Sequence, residues 1–165
     1  MNIPIQRRAE PADLAGLWEL RTRAIRAGCT SHYPGEVIDA WCAAAPPARL
    51  PALIAAGGAL LIEENGRILG YAILDLASGE IDAAFVEPAC QGRGIARRLL
   101  AALEAMAVAH GLRRLFLSSS LNAVPAYERA GFVAMRRESY PHRSSIELDS
   151  VFMEKTLPCA WHGPG

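Results

Sequence analysis

Phe85-Val86-Glu87-Pro88-Ala89-Cys90-Gln91-Gly92-Arg93-Gly94-Ile95-Ala96-Arg97-Arg98-Leu99-Leu100 is the stretch on which the reading turns. An apolar run stops at Pro88, which cannot donate to a sheet ladder, and a glycine-containing loop follows. From Gly94 to His110 the residues Leu99, Leu100, Leu103, Met106 and Ala107 recur at helical spacing, and Gly111 closes the segment. The order is therefore strand, loop, helix. A helix N-terminus presents N–H groups without intrahelical partners and the positive end of the macrodipole, so a loop that brings phosphate there needs small side chains. Gly92, Gly94 and Ala96 meet that need, and Arg93, Arg97 and Arg98 add the fixed positive charge that a diphosphate with a further phosphate requires. A phosphate-rich ligand is implied. On spacing alone, a glycine turn that merely reverses the chain remains the alternative. The dinucleotide pattern G-x-G-x-x-G fails because Arg97 holds the third glycine position, and the P-loop fails for want of Gly-Lys-Ser/Thr.

Upstream, Ile3 to Arg8 reads as a short strand, and Glu10-Pro11-Ala12-Asp13 as a helix start whose apolar stripe Leu14, Leu17, Trp18 and Ile25 runs to about Ala27. Pro34 to Ala44 and Ala48 to Ala56 read as two further helices. The period then changes, because Ala59–Glu63 and Ile68–Leu76 flank Asn65-Gly66, a strong hairpin signal. A third strand runs from Glu80 to Val86. Beyond the long helix, Arg114–Ser118 reads as a strand, Val124–Ala130 as a short helix, and Phe132–Tyr140 and Ile146–Thr156 as two more strands. This is a mixed α/β layer structure, expected to be one domain over residues 1–157 with a loose tail over 158–165.

Lys plus Arg and Asp plus Glu both count 17 in 165 residues, so no excess of positive charge exists to neutralise a nucleic-acid backbone or an anionic membrane. Neither nucleic acid nor membrane is expected as a partner. Cys29, Cys42, Cys90 and Cys159 are scattered without a C-x-x-C pair, as ordinary reduced thiols are, and a cytoplasmic setting is expected. His32, His110, His142 and His162 show no ligand spacing, so no metal is expected. No apolar h-region follows Arg7 and Arg8, and no stretch reaches the roughly 18 apolar residues of a membrane span.

Two groups of residues together carry a family resemblance. Gln91-x-x-Gly94-x-Ala96 after Val86-x-Pro88, and later Ala123-x-x-x-Tyr127-x-x-x-Gly131-Phe132, resemble the acetyl-CoA motif and the C-terminal motif of the GNAT N-acetyltransferases. The likeness spans about Ile3 to Leu157. The opening Arg21-x-Arg23-Ala24-Ile25-Arg26, with Tyr33-Pro34 and Trp41, resembles more loosely the bacterial YafP-like subgroup, which implies the handling of toxic or foreign compounds. The resemblance implies an α/β (α+β) fold, a central mixed twisted sheet of about six to seven strands flanked by helices. It implies direct transfer of acetyl from acetyl-CoA to a primary amine through a ternary complex, with a homodimer in keeping with the family.

By the same resemblance, the amides of Gln91, Gly92, Arg93, Gly94, Ile95 and Ala96, with Arg97 beside them, bind the CoA pyrophosphate, and the strand edge at Phe85 and Val86 pairs with the pantetheine amides. Tyr127 matches the family tyrosine that protonates the departing thiolate, which a phenol at a helix start is able to do; a core tyrosine is the plainer reading. The family often has Asn seven residues before that tyrosine, where this chain has Ser120. Ser120 or Asn122 bonds the pantetheine arm, or Asn122 caps the short helix. Acetyl transfer to an amine needs a base, and Glu80 and Asp82, two apart on one strand, are the nearest carboxylates; a solvated charged sheet face is the other reading. The acceptor region draws on Tyr33, Trp41 and His142, Trp41 being equally suited to the core. Cys90 lacks a histidine in the motif to activate it, so a nucleophilic role is not expected. A small-molecule acceptor is expected; a protein amine, or a non-catalytic acyl-CoA-binding regulator, is the alternative.

Overall fold

The computed structural model describes residues 3–141 and 146–159. His142, expected at the acceptor site, and most of the expected tail therefore lie outside the described residues. The chain runs β1 (Ile5–Arg8), a 3₁₀ turn (Pro11–Asp13), α1 (Leu14–Gly28), α2 (Gly35–Ala43), α3 (Leu50–Ala55), β2 (Ala59–Glu64), β3 (Arg67–Leu74) and β4 (Ile81–Val86). It continues with α4 (Ile95–Ala109), β5 (Arg114–Ser120), α5 (Val124–Arg129), β6 (Val133–Pro141) and β7 (Glu147–Thr156), with 3₁₀ turns at Pro88–Cys90 and Leu121–Ala123. These are the elements and the order expected from the sequence.

Strands β1-β2-β3-β4 form one antiparallel sheet and β5-β7-β6 another. The β2–β3 hairpin turns at Asn65 and Gly66, both at positive φ, as a two-residue primed turn demands. The run Ala59 to Ile62 is apolar at every position because both of its faces are covered. Leu60 and Ile62 join the cluster under α4, with Leu99, Leu103 and Ala107, while Ala59 and Leu61 join Leu17, Leu20, Leu53 and Ile54 from α1 and α3. A third cluster, Ile25, Cys29, Tyr33, Ile38 and Leu148, ties the end of α1 and α2 to β7. Leu103 is fully buried, and truncating such a leucine to alanine costs about 2–5 kcal/mol.

The expected single sheet is divided where β4 meets β5. Among the described residues the two sheets share one parallel bridge, Glu80 with Phe116, and the Phe116 N–H donates to the Gly79 carbonyl at 3.1 Å. Beyond that point the strands part. Gly79 makes the joint possible, since it has φ +87 and a Cβ there would stand 2.5 Å from the Arg114 carbonyl oxygen. Gly79→Ala is expected to lower stability by about 2 kcal/mol or more, from the strained backbone and the displaced contact. Urea unfolding checks this, and a midpoint equal to that of the native chain would contradict it.

Candidate functional site

The parting of β4 from β5 leaves a cavity of about 290 Å³. Its walls come from β4 (Asp82, Ala83, Ala84 and Phe85), from β5 (Leu117, Ser118 and Ser120), and from Tyr127 on α5. Trp18 and Arg21 on α1, Tyr33 and Trp41 around α2, Tyr71 on β3 and Asp149 and Ser150 on β7 close the other side.

The glycine loop lies where β4 leaves the sheet. Gly92 and Gly94 have φ of +81 and +77, and Gly94 is the residue that caps α4, with no side-chain cap bond. A Cβ at either glycine would meet nothing within 4 Å, so the space before the helix is open. The first-turn amides of α4 have no intrahelical acceptors and point toward that space. Arg93 is half-exposed, donating to Glu64 at 3.3 Å and to the Cys90 sulfur at 3.8 Å, and Arg97 and Arg98 are exposed. Cys90 itself is buried beneath the loop.

One carboxylate sets where the loop begins. Glu87, 4 % exposed, accepts two bonds from Arg23 of α1 on its Oε2, at 3.1 and 2.7 Å, and lies 3.6 Å from Arg67. Its N–H donates to the Leu69 carbonyl at 2.8 Å and its carbonyl accepts from Cys90 at 2.8 Å. The exit of β4 is thereby held both to β3 and to α1.

Tyr127 projects from α5 with its ring edge-on to Phe132, centroids 5.7 Å apart. Burial pushes its phenol up to about 12, so it stays protonated through the neutral range. No described residue bonds its hydroxyl. Ser120 lines the cavity, whereas Asn122 does not; Asn122 accepts the Cys29 thiol at 3.2 Å and caps neither short helix. Burial raises the Cys29 thiol to about 11, so it is held as a donor.

Of the two expected carboxylates, only Asp82 lines the cavity. The β3–β4 register passes from Ile73 opposite Ala83 to Leu74 opposite Ile81, so Asp82 is the extra residue of a bulge and the simple alternation from Glu80 is broken. Asp82 is held by Arg49 at 3.0 Å; burial raises its carboxyl while Arg49 opposes the rise. Glu80 sits at the joint of the sheets, its carbonyl accepting from Asp75 at 2.8 Å, and burial raises its carboxyl as well.

Tyr33 and Trp41 both face the cavity, edge to face at 5.5 Å. The Tyr33 hydroxyl donates to the Asp149 carbonyl and accepts the Leu121 N–H at 3.1 Å, so the ring serves as wall and the hydroxyl as brace. The cavity also holds residues to which sequence reasoning gave no role there: Trp18, Arg21, Tyr71 and Ser150. The available signal for Arg21 was its place between Leu17 and Ile25 on the buried stripe of α1, an unusual position for a cation.

A profile of the acetyltransferase (GNAT) domain matches residues 29–156. A search of curated protein sequences finds no match. Among solved structures, the chain resembles a GCN5-related N-acetyltransferase from Rhodopseudomonas palustris, with 28% identity, TM-score 0.81 and coverage of 95% of this chain and 98% of that one. The PaiA N-acetyltransferase of Thermoplasma acidophilum, solved with coenzyme A, has the same fold at 17% identity and TM-score 0.69, covering 93% of this chain and 99% of that one. So does yncA of Salmonella typhimurium, described as a putative acetyltransferase and solved with acetyl-CoA, at 23% identity and TM-score 0.67 over 99% and 98% of the two chains. With the profile matching well over half of the 165 residues, the chain belongs to the GNAT acetyltransferase family.

Proposed function

We propose that this chain transfers acetyl from acetyl-CoA directly to a primary amine of a small molecule, donor and acceptor meeting in the cavity between β4 and β5. Two observations carry the reading together: open space in front of the α4 N-terminus at Gly92 and Gly94, and an aromatic-walled cavity beside β4, the strand that leads into that loop. The amides of Gln91 to Ala96 receive the pyrophosphate, and Arg93 and Arg97 answer its charge. Beyond the Glu80–Phe116 bridge, β4 offers backbone groups at Phe85 and Val86 to the pantetheine amides, and Ser120 adds a hydroxyl across the cleft. Arg23, acting through Glu87, positions the exit of β4.

Asp82 takes the proton of the acceptor ammonium, directly or through water, and the amine nitrogen then attacks the thioester carbonyl carbon. As the carbon–sulfur bond breaks, Tyr127 gives its proton to the thiolate, and the second proton released by the amide nitrogen restores the phenol by way of water. Aromatic walls from Trp18, Tyr33 and Trp41 favour a small molecule over a protein lysine, whose capture calls for an exposed charged groove. The free cysteines support a cytoplasmic setting, and Val133 and Met135, 60% and 50% exposed on the outer strand β6, offer a homodimer contact. The looser likeness to YafP-like proteins favours foreign amines among the acceptors.

Calorimetric titration with acetyl-CoA is expected to give micromolar binding that weakens at least about tenfold in Arg93→Glu and in Gly94→Val, the second because its side chain enters the phosphate gap. No binding by the native chain would sink the proposal. Tyr127→Phe is expected to lower kcat by about 10²-fold or more with acetyl-CoA affinity kept, and unchanged turnover would remove Tyr127 from the proton path. A reaction that needs ionised Asp82 is lost as pH falls through that group's pKa, which burial places above the ordinary aspartate value. The acid limb of the kcat profile should therefore disappear in Asp82→Asn together with most of the rate; an unaltered profile would exclude Asp82 as the base.

A further inference from the structure

Strand β3 lies one strand in from the cleft, yet it carries a phenol into the cavity wall. Tyr71 is 3 % exposed, stands directly opposite Phe85 in the β3–β4 register, and packs its ring against that of Phe85 with centroids 5.8 Å apart. It lines the cavity, and no described residue bonds its hydroxyl. Burial raises the phenol above its ordinary range, Arg21 opposes the rise and Asp82 adds to it. Both of these charged groups line the same cavity, so the hydroxyl end of the ring lies toward the chamber, where it stays protonated as a hydrogen-bond donor. A buried hydroxyl left without a partner is costly unless a ligand completes it.

The place of this donor matches a need of the reaction. Acetyl-CoA that pairs its pantetheine amides with Phe85 and Val86, its pyrophosphate at the loop that follows, runs back along β4 toward Ala84 and Ala83. The thioester comes a few bonds after the last amide. It therefore reaches the part of the cavity lined by Ala84, Ala83 and Asp82, where two small side chains leave room. When the amine nitrogen attacks the thioester carbon, the carbonyl π pair moves onto the oxygen, and a donor already in place stabilises that charge. The pair returns as the carbon–sulfur bond breaks, and the donor keeps its proton throughout. Tyr127 serves the sulfur and Asp82 the amine; neither serves the oxygen.

We infer that Tyr71 is a further catalytic residue, its hydroxyl donating to the thioester carbonyl oxygen of bound acetyl-CoA and to the oxyanion formed from it. This rests on the reading of the chain as an acetyltransferase with the arm of acetyl-CoA along β4.

The experiment needs no acceptor. The full chain is loaded with acetyl-CoA labelled with ¹³C at the acetyl carbonyl, and the carbonyl resonance of the complex is read by NMR. A hydrogen bond to the oxygen draws electrons from the carbon, so the resonance is expected to move downfield on binding. Tyr71→Phe removes the hydroxyl alone and should return the resonance toward that of free acetyl-CoA. By calorimetry, the ratio of acetyl-CoA affinity to coenzyme A affinity should fall at least about threefold in the same variant, with coenzyme A bound as in the native chain. A bound resonance at the free position, a downfield displacement that survives Tyr71→Phe, or an unchanged affinity ratio would overturn the inference. So would loss of coenzyme A binding in Tyr71→Phe, which would make the hydroxyl a part of the fold. Failure of the native chain to bind either ligand would count against the acetyltransferase reading instead.

Discussion

Everything in the site depends on two sheets that, among the described residues, share one backbone bridge and then part. The contact is the pairing of Gly79 and Glu80 with Phe116, close enough that glycine alone fits against the Arg114 carbonyl. Beyond it, β4 and β5 would satisfy each other's backbone groups if they continued side by side, and the core would close. Because they diverge instead, polar backbone is left along a cavity whose walls are half-buried. Such an arrangement is stable only where something else supplies hydrogen bonds, either solvent or a ligand with amides of its own.

The second constraint is the placing of charge around that opening. Buried Glu87 sits at the hinge between strand and loop, where Arg23 and Arg67 hold it, so the glycine loop is anchored to α1 as well as to the sheet. The same helix carries Arg21 to the far wall of the cavity. One helix thus reaches both the start of the glycine loop, through Arg23 and Glu87, and the cavity wall.

Much of this was legible in the sequence, for local reasons. The change from helical spacing to short continuous apolar runs after Gly57-Gly58, the Asn65-Gly66 turn and the proline after Val86 each act within a few residues, and the elements fall where those signals place them. Tyr127 and the glycines were legible because short motifs carry them. What stayed hidden was long-range. The bulge that turns Asp82 away from Glu80's alternation arises from pairing with β3 and has no mark in the strand's own residues. The bond between Asn122 and Cys29 joins positions 93 residues apart. Arg21 was masked by its neighbours, since an arginine in an apolar stripe declares itself only once the stripe is seen to line a cavity.

The central claim is that one ligand occupies both the loop before α4 and the edge of β4 beyond the joint. Hydrogen exchange of backbone amides with and without acetyl-CoA measures this at each position. The account expects marked slowing at Gln91 to Ala96 and at Phe85 and Val86 together, with β1 and β6 little changed. Binding that slows exchange at neither segment, or at the loop alone, would contradict it.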